Sequence, residues 1–263
     1  MTVTIVVIAA SFAVGLLANR LLSRRMLGDE AEPLTVKDLT GPLQTLAVLV
    51  LAFVLVMAAD SFGAAEEAAR NEAAAVEQMF EVAEFVPEGV RERPQAVAVC
   101  YARSVIHQEW PTMKDGHHSP VPDEWANQFG ASLKPLRNTT EFPMLLAADD
   151  DRSKARRDRL SQSTPAIPDV MYWFMLVTLA LTVIAVAFIL PTRRAGAEIA
   201  TLAVFTALLT ASLLVIHDVD RPYRGVINVD SVSMSVTLDD IAKDFVATYG
   251  AGKVPCDEQG LPA

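Results

Sequence analysis

Apolar residues gather in four runs, about Val3 to Leu17, Leu43 to Ala59, Val170 to Leu190 and Ile199 to Ile216. They fall into two pairs, separated by a polar stretch over residues 63–165. Each run, alone or with its flanks, is long enough to cross a hydrocarbon core of about 30 Å as a helix. The pattern predicts an all-α membrane protein whose four transmembrane helices flank a helical extramembrane bundle. The expected organisation is spans 1 and 2 with a short linker over 1–62, the bundle over 63–165, and spans 3 and 4 over 166–217. A tail over 218–263, carrying one helix, is expected to pack on the bundle.

Inside the polar stretch the periodicity stays helical. Ala64 to Phe85 is rich in Ala and Glu, strong helix formers, and Val76, Met79, Phe80 and Ala83 form one apolar stripe. The second span is therefore expected to continue as a helix until Pro87 and Gly89. A second helix fits Gln95 to Gln108, with Val97, Tyr101 and Val105 at four-residue spacing, before Pro111, Gly116, Pro120 and Pro122 break the chain. A third follows Pro122 with Trp125, Phe129 and Leu133 on one face, and a fourth spans Pro143 to Ser161 with the basic run Arg152 to Arg159. In the tail, Val226 to Val236 reads as extended or irregular. Thr237 then caps a short helix with Asp240 as its capping-box partner, Ile241, Phe245 and Tyr249 as its apolar face, and Gly250 as its stop.

Composition narrows the function. The 263 residues carry a formal charge of -10, which disfavours a nucleic-acid partner needing a basic face, and a general polybasic lipid anchor. The first run has no Lys or Arg before it and meets Arg20, Arg24 and Arg25 after it, the reverse of a secretory signal. It reads as an uncleaved span. No Gly-rich phosphate loop, His-Glu-x-x-His pattern or Gly-x-Ser-x-Gly elbow occurs, so the expectation is no enzyme, no cofactor and no metal. His117 and His118, with Asp115 and Asp123 nearby, sit among Gly and Pro in a loop and make a weak metal candidate. Ser11 and Gly15 form a small-xxx-small pair that would let two helices approach closely.

Two places hold candidate ion chemistry. Asp60 is the carboxylate at the exit of the second span. The fourth span leaves the membrane through His217-Asp218-Val219-Asp220-Arg221-Pro222-Tyr223-Arg224-Gly225-Val226-Ile227-Asn228-Val229. Physically, Pro222 stops the helix, Gly225 permits a sharp turn, and Asp220 and Arg221 anchor it at headgroup level. The competing reading makes Arg221 and Arg224 a basic ring that attracts anions in an oligomer.

This exit resembles the Leu-Asp-Arg-Pro-Phe-x-Gly-x-Ile-x-Val pattern of the bacterial bestrophin-like domain proteins. Asp220, Arg221, Pro222, Tyr223, Gly225, Ile227 and Val229 fit it, with Tyr223 in place of Phe. Arg24 and Arg25 after the first span, Ser61 and Phe62 ending the second, Ile167-Pro168 and Trp173 keep the same order and spacing. The resemblance implies a multi-pass protein of the bacterial cell membrane, distantly similar to bestrophins, oligomeric anion channels with four spans and a helical soluble domain. The second span, with Phe53 its lone aromatic and neither Gly nor Pro inside, departs from the bulky, kinked neck of bestrophins.

Two functions are therefore expected. The first is a non-enzymatic structural or accessory subunit presenting its helical domain to partners, in a lipid bilayer and with self-association or a protein partner. The alternative is an oligomeric anion channel. Arg20, Arg24, Arg25 and Lys37 in the first linker, with Arg193 and Arg194 in the third, favour cytoplasmic short loops and an extracytoplasmic bundle and C-terminus. Cys100 and Cys256 then lie on one side. They form a bridge if that side is oxidising, or stay two unrelated buried thiols.

Overall fold

The structure is a computed structural model that describes residues 2–26, 34–188 and 196–263. Lys37, Arg24 and Arg25 (as side chains), Arg193, Arg194 and the last two residues of the third apolar run lie outside what is described. Among the described residues the chain is helical, with no strand beyond an isolated bridge between Cys256 and Pro262. It forms two compact units: Met1–Asp60 with Ala166–Asp220, and Ser61–Pro165 with Arg221–Ala263.

The first unit holds α1 (Thr2–Met26), the first part of α2 (Leu34–Val82), α7 (Asp169–Phe188) and α8 (Gly196–Val219). Among the described residues, four segments are long and apolar enough to cross a membrane: Thr2–Leu21, Thr40–Phe85, Asp169–Phe188 and Gly196–Val219. Their outward faces carry large apolar side chains such as Val6, Leu17, Leu181 and Leu208, as lipid-facing helices do. α1 lies along α7 at close range. A Cβ on Gly15 would sit 2.6 Å from that of Ala187, so only glycine fits there. Several polar groups find partners inside the unit: Asn19 Nδ2 donates to the Ala187 carbonyl at 3.0 Å, and Thr4 Oγ1 lies 2.6 Å from the Tyr172 hydroxyl. Thr178, Thr182, Thr201, Thr210 and Ser212 each donate to the carbonyl four residues earlier, so they serve their own helices.

The second unit contains the rest of α2, then α3 (Glu88–Ser104), a π-helical turn (Val105–Glu109), α4 (Trp110–Met113), α5 (Val121–Ser132), α6 (Phe142–Ser161) and α9 (Val232–Tyr249). α2 does run on past the second span, 49 residues in all, more than twice the about 20 a crossing needs. Its stripe Ala65, Ala69, Val76, Met79 and Phe80 meets Val97, Tyr101 and Val105, then Trp125, Phe129 and Leu133, around one core.

Three local expectations change. α3 begins at Glu88 rather than Gln95, so Pro94 lies inside it. Pro87 precedes the first turn, and Glu88 supplies the negative charge that helix N-termini favour. Pro111 does not stop the chain there, because the wide π turn at Val105–Glu109 precedes it and relieves the clash of its ring with the turn before. The stretch Val226–Val236 is not extended to its end, for α9 starts at Val232. Asp230 Oδ1 accepts the Val232 amide at 3.1 Å and turns the chain in, which leaves Thr237 buried in mid-helix rather than capping.

Candidate functional site

Helical spacing brings three arginines of α6 to one face. Arg152, Arg156 and Arg159 stand at i, i+4 and i+7, and all three are buried. Across from them Glu72 takes the α2 core position four residues before Val76, and Glu109 takes the position four after Val105. Both carboxylates are fully buried. Two buried charges of one sign demand two of the other. Arg159 bridges Glu72 and Glu109, and Arg156 pairs with Glu109 at 2.7 Å and with the more exposed Asp123 of α5. Arg152 bonds Asp149 through Nε at 3.0 Å and Nη2 at 2.7 Å.

Aromatic groups complete this core. The Tyr101 hydroxyl donates to Glu72 Oε1 at 2.6 Å, while the Arg152 guanidinium lies 4.7 Å from its ring centroid. Arg159 lies 4.8 Å from the Trp110 ring centroid and donates to Met113 Sδ. Burial, then the Glu72 charge, holds the Tyr101 phenol well above its ordinary range. Arg156 and Arg159 are held above theirs by their carboxylate partners, against the opposing effect of burial. The arrangement therefore keeps its guanidiniums charged and its phenol neutral. It links α2, the π turn, α5 and α6 as a buried ion-pair clamp.

The span-exit motif divides between the units. In the first, Asp220 is buried, and its Oδ1 accepts the Ala166 and Ile167 amides at 3.0 and 2.9 Å, tying the end of α8 to the entry of α7. The carboxylate thus turns inward, onto the chain's own backbone. Asp220→Ala should cost about 2–3 kcal/mol, since it strands two amides bonded to a charged acceptor. Asp220→Asn should cost less, because one carbonyl acceptor survives. Thermal unfolding of the detergent-solubilised protein reads both.

In the second unit, Pro222 has its carbonyl bonded to the Val229 amide at 2.7 Å, and the Gly225 amide returns to the Arg221 carbonyl at 3.1 Å. Tyr223 is buried edge-on to Trp110 at 5.8 Å, and its hydroxyl donates to the Ala65 carbonyl at 3.2 Å. Burial pushes its phenol upward. Trp110 Nε1 donates to the Val229 carbonyl, so the motif is built into the wall of the arginine core. Arg221 is half-buried and Arg224 is exposed, with its guanidinium over Gly116, whose φ is +76°.

Asp60 is exposed at the end of the first unit, where it continues a stripe on α2. Leu46, Leu49, Phe53 and Val56 recur at three- and four-residue spacing on one exposed face. Ala47, Val54 and Ala58 occupy the opposite, buried face. Within this unit a cavity of about 10 Å³ between Ala47, Val50, Met175 and Leu179 holds no more than a water.

Cys100 and Cys256 are bonded, 156 residues apart. Around them the tail is stitched to α3 and α5. Arg103 Nη1 donates to the Asp257 carbonyl at 3.1 Å, Trp125 Nε1 to the Gly260 carbonyl at 2.7 Å, and Gln108 Nε2 to the Gln259 carbonyl at 3.1 Å. Gly260 has a φ of +78° and lies directly on the Ser104 backbone, where a Cβ has no room. His117 and His118 are exposed, and among the described residues no cluster of three His, Cys, Asp or Glu is placed to hold a metal.

A family model, the bestrophin-like domain, matches residues 5–234. Among solved structures, a point mutant of a bacterial bestrophin homologue from Klebsiella pneumoniae matches with a TM-score of 0.67 at 14% identity. That match covers 94% of this chain and 99% of the other. No protein with a curated description matches the chain.

Proposed function

Because the chain belongs to the bestrophin-like domain family, we propose that it works as an oligomeric ion channel whose second spans line the central axis. The observation that carries this reading is the exposed α2 stripe Leu46, Leu49, Phe53 and Val56, ending on Asp60. Among the described residues, the cavity beside α2 holds no more than a water. A conducting path between protomers fits that tight packing. The α2 stripe has the a/d spacing that helices use when they gather around a common axis. An apolar constriction of this kind gates by excluding water.

A second reading is an accessory subunit that presents the helical unit to a partner, and the disulfide-bonded, ion-paired build of that unit favours it. The same disulfide supports a multi-pass protein of the bacterial cell membrane with this unit on the extracytoplasmic, oxidising side. The purified oligomer, reconstituted in liposomes under a sodium chloride gradient and read for both cation and anion flux, separates the two functions. The channel reading expects flux above that of empty vesicles. Absence of flux from a homogeneous oligomer removes it in favour of the accessory role.

A further inference from the structure

In the helical unit, α5 and α6 enclose an open cleft of about 530 Å³, within the size range of small-molecule sites. Its floor is cationic and already rigid. Arg152 and Arg156 have side chains only 5% and 9% exposed, held by Asp149 at the cleft wall and by the buried Glu109 respectively. Above them stands Arg157, exposed, which among the described residues makes no ion pair or hydrogen bond. Asn127, on the facing helix α5, likewise has its amide uncommitted. Three guanidiniums line the cleft beside two carboxylates, Asp123 and Asp149. The ion pairs of the floor do not involve Arg157, whose guanidinium is left for a ligand.

We propose that this cleft binds a small oxyanion, a phosphate or a carboxylate, between Arg157 and Asn127 above the Arg152–Arg156 floor. A planar guanidinium presents paired donors that match either anion, and the buried pair beneath cannot turn away to solvent. Asp123, 58% exposed at the edge, limits the charge the site accepts and so favours a small ligand over an extended polyanion. The site is independent of ion conduction: it stands or falls whether or not the protein is a channel.

Inorganic phosphate and succinate, each titrated into the full-length protein in detergent at constant ionic strength by isothermal calorimetry, test it and separate the two sources of the oxyanion. Saturable, one-site binding of either is expected, with the tighter probe naming the ligand chemistry. Arg157→Gln should weaken it about tenfold, the loss of one charge-assisted contact. Asn127→Ala should weaken it less, and Lys134→Gln, outside the cleft, should leave it unchanged. Neither Arg157 nor Asn127 belongs to the buried clamp, so both variants are expected to elute and melt like the parent protein. No saturable binding of either probe, or equal affinity in the parent, Arg157→Gln and Asn127→Ala proteins, overturns the proposal.

Discussion

Arg159→Ala is expected to destabilise the helical unit by about 3–5 kcal/mol, the cost of stranding buried charge. The side chain is fully buried and bridges Glu72 and Glu109, themselves fully buried on two other segments. Removing it leaves two carboxylates in a protein interior with only Arg156 and the Tyr101 hydroxyl to answer them. Arg159→Lys should recover part of the loss, because one ammonium supplies charge without the fork that reaches both acceptors. Replacing Arg159 and Glu72 together by Met or Leu should cost less than Arg159→Ala, since Glu109 keeps Arg156 as its partner and no buried charge is stranded. Denaturant unfolding followed by near-ultraviolet circular dichroism distinguishes these cases. A loss under 1 kcal/mol for Arg159→Ala would show that the clamp is dispensable. The neutral Tyr101 phenol adds a pH signature. Its folded pKa lies above its unfolded value, so its contribution is fully present below about pH 10 and declines as pH rises from there through the folded value.

Loss of the Cys100–Cys256 bond should have the next largest effect. A crosslink closing a loop this long is worth up to about 5 kcal/mol when the whole loop is free in the unfolded state. Here two membrane spans lie within the loop and stay helical in lipid or detergent, so less chain entropy is at stake. The expected cost of the Cys100→Ser, Cys256→Ser double variant is therefore nearer about 2–3 kcal/mol. The bonds of Arg103, Gln108 and Trp125 to the tail remain and hold it to α3 and α5. Limited proteolysis at the C-terminus, with and without the bond, reads the loosened tail directly. An unchanged melting temperature and cleavage pattern would assign the tail's attachment to those hydrogen bonds alone.

Much of the architecture was legible because membranes enforce strong rules. Uninterrupted apolar length identified the four spans, and three- and four-residue periodicity located the helices of the bundle. Asp220 to Val229 marked the exit of the last span. The core's charge is far less legible. The stripe Val97, Tyr101, Val105 reaches Glu109 by one more step of four, and the stripe Val76, Met79, Phe80 steps back by four to Glu72. Reading an apolar stripe stops at the first charge, yet here the charge continues the stripe. The complementary signal was Arg152, Arg156 and Arg159 at i, i+4 and i+7, which reads as a solvated basic face until acidic core positions are found to meet it. The start of α9 was missed for a local reason. Val226 to Val236 carries five Val or Ile residues, and tertiary burial of Met234 and Thr237 outweighs that preference at its end. The π turn, which depends on how Glu109 and Pro111 share one stretch of backbone, has no simple pattern in sequence.

The α2 stripe is where the account is most exposed to test. With Cys100 and Cys256 bonded and no free cysteine, Phe53→Cys introduces one reactive thiol on the exposed face of α2. Val204→Cys places a matching thiol on the exposed face of α8. In liposomes treated with a mild oxidant, the channel reading predicts crosslinking between protomers through position 53 and none through position 204. A thiol reagent at position 53 should also abolish ion flux. Equal crosslinking at both positions, or flux untouched by modification at 53, would contradict an axis lined by α2.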